Sequence, residues 1–332
     1  MSRLAVVGAG SWGTALAIVL APRFDTVSLW AREPELVEQL NTSRENGVFL
    51  AGCRLPDNVT AHHELPPVLQ DADVVLGVMP SKFARAVWSG IGGYIHPQTS
   101  LVSATKGLET GTLLRISEVI AAALAPHFAA KVAVLSGPTF AREVARGDPA
   151  ALVISSLDAG LAASIQRQFS GPTFRLYTNS DPAGVEIGAA LKNVIAIAAG
   201  VCAGLGLGSN AIAALITRGL AEISRLAFAM GGQPKTLAGL AGLGDLVLTC
   251  TGELSRNRFV GAELAKGRAI GEIVASMKMV AEGVDTTAAA LELAARHSVS
   301  MPIASQMNRI LLGECSPQSA LRELMERSLK DE

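Results

Sequence analysis

Short apolar runs alternate with longer amphipathic segments through the first half of the chain. Such runs, rich in Val and Leu and bounded by turn residues, predict β-strands. They lie at 4–8, 26–30, 73–79, 100–105, 132–137, 151–156 and 174–177. Segments with helical spacing, such as TALAIVLAPR and LLRISEVIAAALA, fall between most of the runs. This alternation predicts a mostly parallel sheet covered by helices on both faces.

The pattern changes after Asp181-Pro182, where strand-like runs give way to helical spacing. The clearest segments are AALITRGLAEISRLAFAM, RFVGAELAKG, TTAAALELAARHS and IASQMNRILLG. We therefore predict an α/β fold class with two domains. Residues 1–180 form a domain around the mostly parallel sheet, and residues 181–332 form an all-α domain.

The segment 184–200, GVEIGAALKNVIAIAAG, places Lys192 and Asn193 inside an apolar helix. Long charged side chains are rarely buried without a partner. One interpretation is that the lysine stem lies along apolar surface while its ammonium reaches water. The other is that the lysine serves chemistry. The segment alone favours the first interpretation.

The composition is that of a folded, globular protein. The chain has 332 residues, 49% of them hydrophobic and 17% charged, with a net charge of −1. Its Lys and Arg residues are scattered, which argues against nucleic-acid binding. Small anionic ligands need only a few local cations and remain possible partners.

The cysteines and the apolar segments indicate a cytoplasmic protein. The cysteines have no CxxC spacing and no histidine at ligand spacing, so we expect neither disulfides nor a metal site. The N-terminal sequence lacks the features of a signal peptide. The uncharged stretch 194–207 has 14 residues, which is short of the roughly 20 that span a bilayer. We expect no stable membrane insertion.

A glycine motif follows the first predicted strand, in LAVVGAGSWGTALA. Gly8, Gly10 and Gly13 sit between a strand and a helix, the context that identifies a dinucleotide-binding, Rossmann-like domain. Gly8 allows the tight turn, Gly10 lets the pyrophosphate approach, and Gly13 lets the helix pack closely. The helix N-terminus donates N–H groups to phosphate, and Ser11 and Trp12 line the cofactor.

The second strand ends in SLWAREPE and leaves the choice of cofactor open. An acidic residue here binds the ribose hydroxyls of NAD, whereas an arginine favours the 2′-phosphate of NADP. Arg32 and Glu33 are neighbours, and Glu33 also precedes Pro34, which can start a helix. We favour NADP slightly over NAD, because Arg32 comes first after the strand.

A dehydrogenase needs a group that exchanges a proton with the substrate hydroxyl as hydride moves. Histidine is a frequent choice, but no histidine of this chain lies in a suitable motif. The five are His62, His63, His96, His127 and His297. Lys192 is the better candidate, because burial lowers the pKa of a lysine towards neutrality.

Two polar motifs follow strands of the predicted sheet. SATKG places Lys106 at the carboxyl end of one strand, and SGPTFA places Gly137 and Thr139 after another. Ligands of open α/β sheets bind at this edge. The alternative for Lys106 is an ordinary loop charge.

Two further motifs lie in the helical half, within AGLGDLVLTCTGELSRNR. Asp245 is a candidate for the site, although it also suits a turn or cap. Ser255 has the position of a helix N-cap. Arg256 beside that N-terminus makes a plausible phosphate site, or else a solvated helix face.

Together the motifs resemble bacterial NAD(P)-dependent glycerol-3-phosphate dehydrogenases. They run in order from residue 8 to residue 284 and cover nearly the whole chain. They are GAGSWGTALA, MPS (79–81), SATKGLE, SGPTFAREVA, LKNVIAIAAG, LITRGLAE, AGLGDLVLTC, SRNR and VAEGV.

The resemblance implies reduction of dihydroxyacetone phosphate to sn-glycerol 3-phosphate, which supplies phospholipid synthesis. It implies that Lys192 is the general base, beside Lys106 and Asp245. The implied substrate positions are Lys106, Gly137, Thr139, Lys192, Asp245, Ser255, Arg256 and Asn257. The implied cofactor positions are Ser11, Trp12, Arg32, Lys106, Ala141, Arg256, Val280 and Glu282. One departure is Ala203-Gly204, where the family often has an acidic residue before the glycine.

The predicted mechanism has protonated Lys192 donating to the developing alkoxide while Asp245 and Lys106 orient the substrate. Arg256 and the N–H groups of 255–257 hold the phosphate. Two rivals remain: a two-domain dehydrogenase of a 3-hydroxy acid such as 6-phosphogluconate, and a non-catalytic NAD(P)-binding sensor. The expected partner is a small phosphorylated triose, and a homodimer is possible.

Overall fold

A mixed sheet forms the core of the first half of the chain. The computed structural model describes residues 1–277 and 279–329. The strands are β1 Arg3–Val7, β2 Thr26–Trp30, β3 Glu45–Asn46, β4 Leu50–Arg54, β5 Val59–His62, β6 Val74–Gly77, β7 Ser100–Ser103, β8 Val132–Ser136, β9 Ala150–Ser155 and β10 Phe174–Asn179.

Eight of the strands make one sheet in the order β10-β9-β8-β7-β6-β1-β2-β5. All neighbours pair in parallel except β8 and β9, which are antiparallel. β3 and β4 form a separate hairpin. The prediction of a mostly parallel sheet is confirmed.

The apolar runs mark the central strands because those strands are buried on both faces. All four residues of β6, for example, are buried. Each predicted run became a strand, whereas the hairpin strands β3 and β4 and the edge strand β5 were not predicted. β5 is a short edge strand, VTAH, with only alternate residues buried, so it lacks a continuous apolar run.

Helices cover both faces of this sheet. They are α1 Ser11–Leu20, α2 Pro34–Thr42, α3 Leu65–Leu69, α4 Ala84–Ile91, α5 Ile116–Leu124, α6 Ala141–Ala145 and α7 Ala159–Phe169. Two separate apolar clusters, one around Leu16 and Leu29 and one around Trp88 and Ile120, pack on the sheet.

Beyond Asn179 the described residues contain helices and no strand. The helices are α8 Pro182–Gly204, α9 Ser209–Ala229, α10 Pro234–Leu237, α11 Asp245–Thr251, α12 Arg256–Ala265, α13 Ile270–Ala275, α14 Glu282–Arg296, α15 Pro302–Leu311 and α16 Pro317–Met325. The predicted α/β domain followed by a helical domain is confirmed. The short helix α11 was not predicted, because it has only 7 residues and follows a stretch that contains several glycines.

Helix α8 is the central element of the helical half. Its length and hydropathy would suit a membrane span, but 83% of its most apolar window is buried inside the protein. It crosses α12 at backbone contact, since a Cβ on Gly200 would lie 1.9 Å from the Arg258 carbonyl oxygen. The burial of α8 explains its apolar sequence and places Lys192 in the interior.

Candidate active site

Lys192 is buried and bonded rather than extended towards water. The residue is only 5% exposed. Its Nζ donates to Oδ1 of Asp245 and, at 2.9 Å, to Oγ1 of Thr249. Snorkelling therefore does not explain this lysine.

Asp245 links Lys192 to a second lysine. Its carboxylate is fully buried, and Oδ2 accepts a hydrogen bond of 2.7 Å from Nζ of Lys106. Lys106 also donates to the Gly137 carbonyl at 3.2 Å. Asp245 begins helix α11, but its carboxylate faces the two ammonium groups and does not cap the helix. One carboxylate thus joins lysines from both halves of the chain.

Burial lowers the pKa of Lys192 to about 7. The Asp245 carboxylate opposes this shift by stabilising the ammonium, whereas the nearby Lys106 ammonium adds to it. Lys192 is therefore able both to donate and to accept a proton near neutral pH, as general acid–base catalysis requires.

Thr249 completes this cluster and was not singled out from the sequence. Its hydroxyl donates to the Asp245 carbonyl at 2.6 Å and accepts from Lys192. It follows Asp245 by one helical turn, so the spacing would have identified it once α11 was recognised as a helix.

Lys106 and Gly137 lie at the carboxyl ends of β7 and β8. These strands are parallel neighbours, so their following loops meet at one edge of the sheet. Gly137 has a φ of +149°, and a Cβ there would lie 2.9 Å from the Leu152 Cα. The position therefore requires glycine. The Thr139 hydroxyl donates to the Gly137 carbonyl at 3.4 Å.

The glycine loop divides into packed and open positions. Gly8 has a φ of +124°, and a Cβ on it would lie 2.3 Å from the Val78 carbonyl oxygen. A Cβ on Gly13 would lie 1.8 Å from the Gly8 carbonyl oxygen. A Cβ on Gly10, by contrast, meets no described atom within 4 Å. Gly8 and Gly13 are needed for packing, and Gly10 faces open space.

This open space suits the pyrophosphate of a dinucleotide. Helix α1 begins at Ser11, and among the described side chains none caps its N-terminus. Its first N–H groups are therefore available to an anion. Trp12 and Ala141 pack against the same small apolar cluster near the loop. The residues present thus fit a bound NAD(P).

A buried asparagine supports the glycine loop from within. Nδ2 of Asn46, a fully buried residue, donates to the Ala9 carbonyl at 2.9 Å and to Oγ1 of Thr14 at 2.8 Å. No motif pointed to this role, because Asn46 lies in a stretch without clear periodicity.

Arg32 follows β2 and pairs with its neighbour. Its Nε and Nη2 donate to Oε1 of Glu33 at 2.8 and 2.6 Å. Its guanidinium lies 5.8 Å from the centre of the Phe83 ring, and Nζ of Lys82 lies 5.3 Å from the same ring. The end of β2 therefore carries both the arginine that favours NADP and the acidic residue that favours NAD.

The start of α14 lies against the loop after β6. Oε2 of Glu282 accepts from Oγ of Ser81 at 2.7 Å, and Oε1 accepts from the Ser81 N–H at 3.2 Å. Burial raises the pKa of Glu282, and the bonds from Ser81 oppose that shift. Arg256 joins this region because its Nη1 donates to the Val280 carbonyl at 2.8 Å. Ser81 was not predicted as a site residue, although it ends the MPS motif.

The start of α12 is fixed by two side chains. Oγ of Ser255 accepts from the Arg258 N–H at 3.3 Å, which confirms the predicted N-cap. Nδ2 of the buried Asn257 donates to Oδ1 of Asn193 at 2.9 Å, and its Oδ1 accepts from the Gly283 N–H at 2.9 Å. Asn193 thus ties α8 to the elements around Arg256.

Comparison with known proteins agrees with this architecture. The family model described as NAD-dependent glycerol-3-phosphate dehydrogenase N-terminus matches residues 3–162, and the corresponding C-terminus model matches residues 181–322. The chain belongs to the NAD-dependent glycerol-3-phosphate dehydrogenase family. The resemblance inferred from the motifs is thereby confirmed.

Individual members of the glycerol-3-phosphate dehydrogenase family match over the full length. The NAD(P)+ enzyme of Koribacter versatilis is 55% identical over 98% of both chains. That of Acidobacterium capsulatum is 51% identical over 100% of both. A crystal structure of the Coxiella burnetii enzyme is 40% identical, with a TM-score of 0.93 over 98% of this chain and 99% of that one.

In this glycerol-3-phosphate dehydrogenase family member, exchanging Asp245 for asparagine is expected to lower the pKa of Lys192 below about 7. The carboxylate is the group that favours the buried ammonium, and an amide does not replace its charge. Side-chain NMR of ¹³C-labelled lysine would follow the titration. Exchanging the exposed Asp148 for asparagine is the control. A Lys192 pKa that stays near 7 or rises in the Asp245→Asn protein contradicts this electrostatic assignment.

Proposed function

We propose that the chain interconverts dihydroxyacetone phosphate and sn-glycerol 3-phosphate with NAD(P)H. The observation that carries this proposal is the Lys192–Asp245–Lys106 cluster, whose Lys106 lies at the same sheet edge as the glycine loop, in a chain of this family. NAD(P)H, when bound, supplies the hydride for reduction. The chain's own residues handle the proton and hold the substrate.

In the proposed reduction, protonated Lys192 donates its proton to the substrate oxygen as the carbonyl becomes a hydroxyl. In the reverse direction, neutral Lys192 accepts that proton. The pKa near 7 makes both states accessible. Lys106 holds the other oxygen of Asp245 and adds positive charge that favours the developing alkoxide.

The substrate phosphate is proposed to bind at the start of α12. Arg256 lies at its first helical position. Among the residues that the structure describes, its guanidinium donates through Nη1 to the Val280 carbonyl, and we propose that the rest of the fork binds an anion. The first N–H groups of the helix add donors. We propose that residues at the start of α12 and in the loop after β8 complete the substrate site. They are Ser255, Asn257, Gly137 and Thr139.

The biological setting follows from the proposed product. We infer a cytoplasmic enzyme that supplies glycerol phosphate for phospholipid synthesis. A homodimer stays a prediction from the sequence. Among described residues, no group of three or more His, Cys, Asp or Glu side chains is arranged to hold a metal ion, and the proposed mechanism requires none.

A kinetic comparison tests the role of Lys192. Purified protein is expected to oxidise NADH or NADPH when dihydroxyacetone phosphate is added, followed by absorbance of the reduced nicotinamide. Lys192→Ala is expected to lower kcat by about 10²–10⁴-fold, because the proton donor is lost. Lys235→Ala removes an exposed lysine of the helical half and serves as the control. Near-normal kcat in Lys192→Ala would overturn this role, and 6-phosphogluconate as the better substrate would favour the rival dehydrogenase.

The choice between cofactors tests the Arg32–Glu33 pair. We propose that Arg32 exchanges Glu33 for the 2′-phosphate of NADPH, which makes NADPH the slightly preferred cofactor. Arg32→Ala is expected to reduce the ratio of kcat/KM for NADPH over NADH by about tenfold, as a charged hydrogen bond is lost. Glu33→Ala is expected to raise it, because the competing carboxylate is gone. Equal ratios in all three proteins would refute the assignment.

A further inference from the structure

A second buried carboxylate lies on helix α8, N-terminal to Lys192. Glu186 is only 3% exposed. Its Oε1 accepts from the Ser117 N–H at 2.8 Å, and its Oε2 accepts from the Ser117 hydroxyl at 2.6 Å and from Nη1 of Arg115 at 2.7 Å. All of these donors come from the first half of the chain.

The donors belong to the N-terminal end of helix α5. The Ser117 N–H is one of the first N–H groups of that helix, where a negative charge is favoured. Glu118 holds the other side of the guanidinium, since its Oε1 accepts from Nη2 of Arg115 at 2.7 Å. Glu118 also accepts the Arg115 N–H through Oε2 at 2.9 Å. The Arg115 fork is therefore fixed between two carboxylates.

Arg115 also closes the loop that follows Lys106. Leu108 and Arg115 form an antiparallel bridge, and the Glu109 N–H donates to the Leu114 carbonyl at 3.0 Å within it. Lys106 immediately precedes this closed loop. The contact with Glu186 thus connects the loop of Lys106 directly to the helix of Lys192.

We propose that Glu186 and Arg115 are a positioning pair that sets the spacing of Lys106 and Lys192 across the two halves of the chain. The pair touches none of the reacting atoms. It acts by holding both ammonium groups on the Asp245 carboxylate. This proposal deepens the proposed function and rests on it.

Burial of Glu186 argues for such a role. Desolvation raises the pKa of its carboxyl, and Arg115 and Ser117 oppose that shift. A buried ion pair adds little net stability compared with apolar packing, but it fixes one geometry. Here the geometry that it fixes is the register between α8 and the Lys106 loop.

Loss of the pair has a defined electrostatic consequence at the proton donor. The groups that influence Lys192 are Asp245 and Lys106, and the Cys250 thiol is close enough to feel its charge. If Lys106 moves away from Asp245, its repulsion of the Lys192 ammonium falls and water enters. The pKa of Lys192 then rises, and the reduction keeps its rate to higher pH.

The test compares Glu186→Gln with Glu222→Gln. Glu222 is a matched control, because it is 2% exposed and accepts from the N–H groups of Ile303 and Ala304, at 2.7 and 3.3 Å, away from the site. For both variants one measures thermal unfolding, the KM for NAD(P)H, and kcat and kcat/KM for dihydroxyacetone phosphate against pH.

Glu186→Gln is expected to lower kcat by about 10- to 100-fold, as for a misplaced catalytic group. Its pH midpoint for reduction should move upward, with the KM for NAD(P)H unchanged. Glu222→Gln should lose thermal stability but keep the normal kcat and midpoint. Arg115→Lys retains the positive charge without the guanidinium fork, and it should show the same changes in kcat and midpoint with smaller magnitude. This variant keeps the proposal testable if the Glu186→Gln protein does not fold.

Two results overturn the proposal. One is a normal kcat and midpoint in Glu186→Gln, or in Arg115→Lys if only that variant folds. The other is an equal change in Glu222→Gln. Activity of the unaltered protein with dihydroxyacetone phosphate is measured first. Its absence would reject the proposed function itself. Normal activity of the unaltered protein, together with a normal kcat and pH midpoint in the variants, would reject only the positioning pair.

Discussion

The sharing of one buried carboxylate by two lysines is the interaction on which the rest of the site depends. Asp245 is completely enclosed, and each of its oxygens accepts from a different ammonium group. With both lysines charged, the two ammonium groups and the single carboxylate have a net positive charge. Such an excess is costly in the interior. It is reduced when Lys192 gives up a proton or when an anionic substrate enters.

This net positive charge connects the fold with the proposed proton exchange. Helix α8 is apolar because it is the core of the helical half, and that burial is what lowers the pKa of Lys192. Lys106 follows β7 at the carboxyl edge of the sheet, the same edge at which Gly10 follows β1. We propose that a dinucleotide on the glycine loop and a phosphate near Arg256 meet at Lys192, whose pKa of about 7 lets it exchange a proton near neutral pH.

Much of this could be predicted from the sequence, because the signals are local. Apolar runs located the central strands, the glycine spacing located the cofactor loop, and a lysine in an apolar helix pointed to the proposed proton donor. The motif set identified the family. Edge strand β5 escaped detection because only alternate residues of it are buried, and helix α11 escaped because glycines precede a short segment.

Contacts between distant residues could not be predicted where a partner lies outside the family motifs. Glu186 and Arg115 are 71 positions apart, and Asn46 reaches Ala9 across 37. No periodicity connects such pairs, since their meeting depends on how the two halves pack. The pair of Arg32 and Glu33 illustrates a different limit: both residues lie where expected, and their mutual hydrogen bonds leave the cofactor preference to experiment.

The pH dependence of the unaltered protein in both directions shows whether buried Lys192 is the group that exchanges the proton with the substrate. If Lys192 titrates at about 7, kcat/KM for reduction of dihydroxyacetone phosphate falls as the pH rises through that value. The value for oxidation of sn-glycerol 3-phosphate rises through the same midpoint, because the neutral amine is then required. A shared midpoint near neutrality is the predicted result. Midpoints near the ordinary lysine value of about 10.4, or different midpoints in the two directions, would contradict the account.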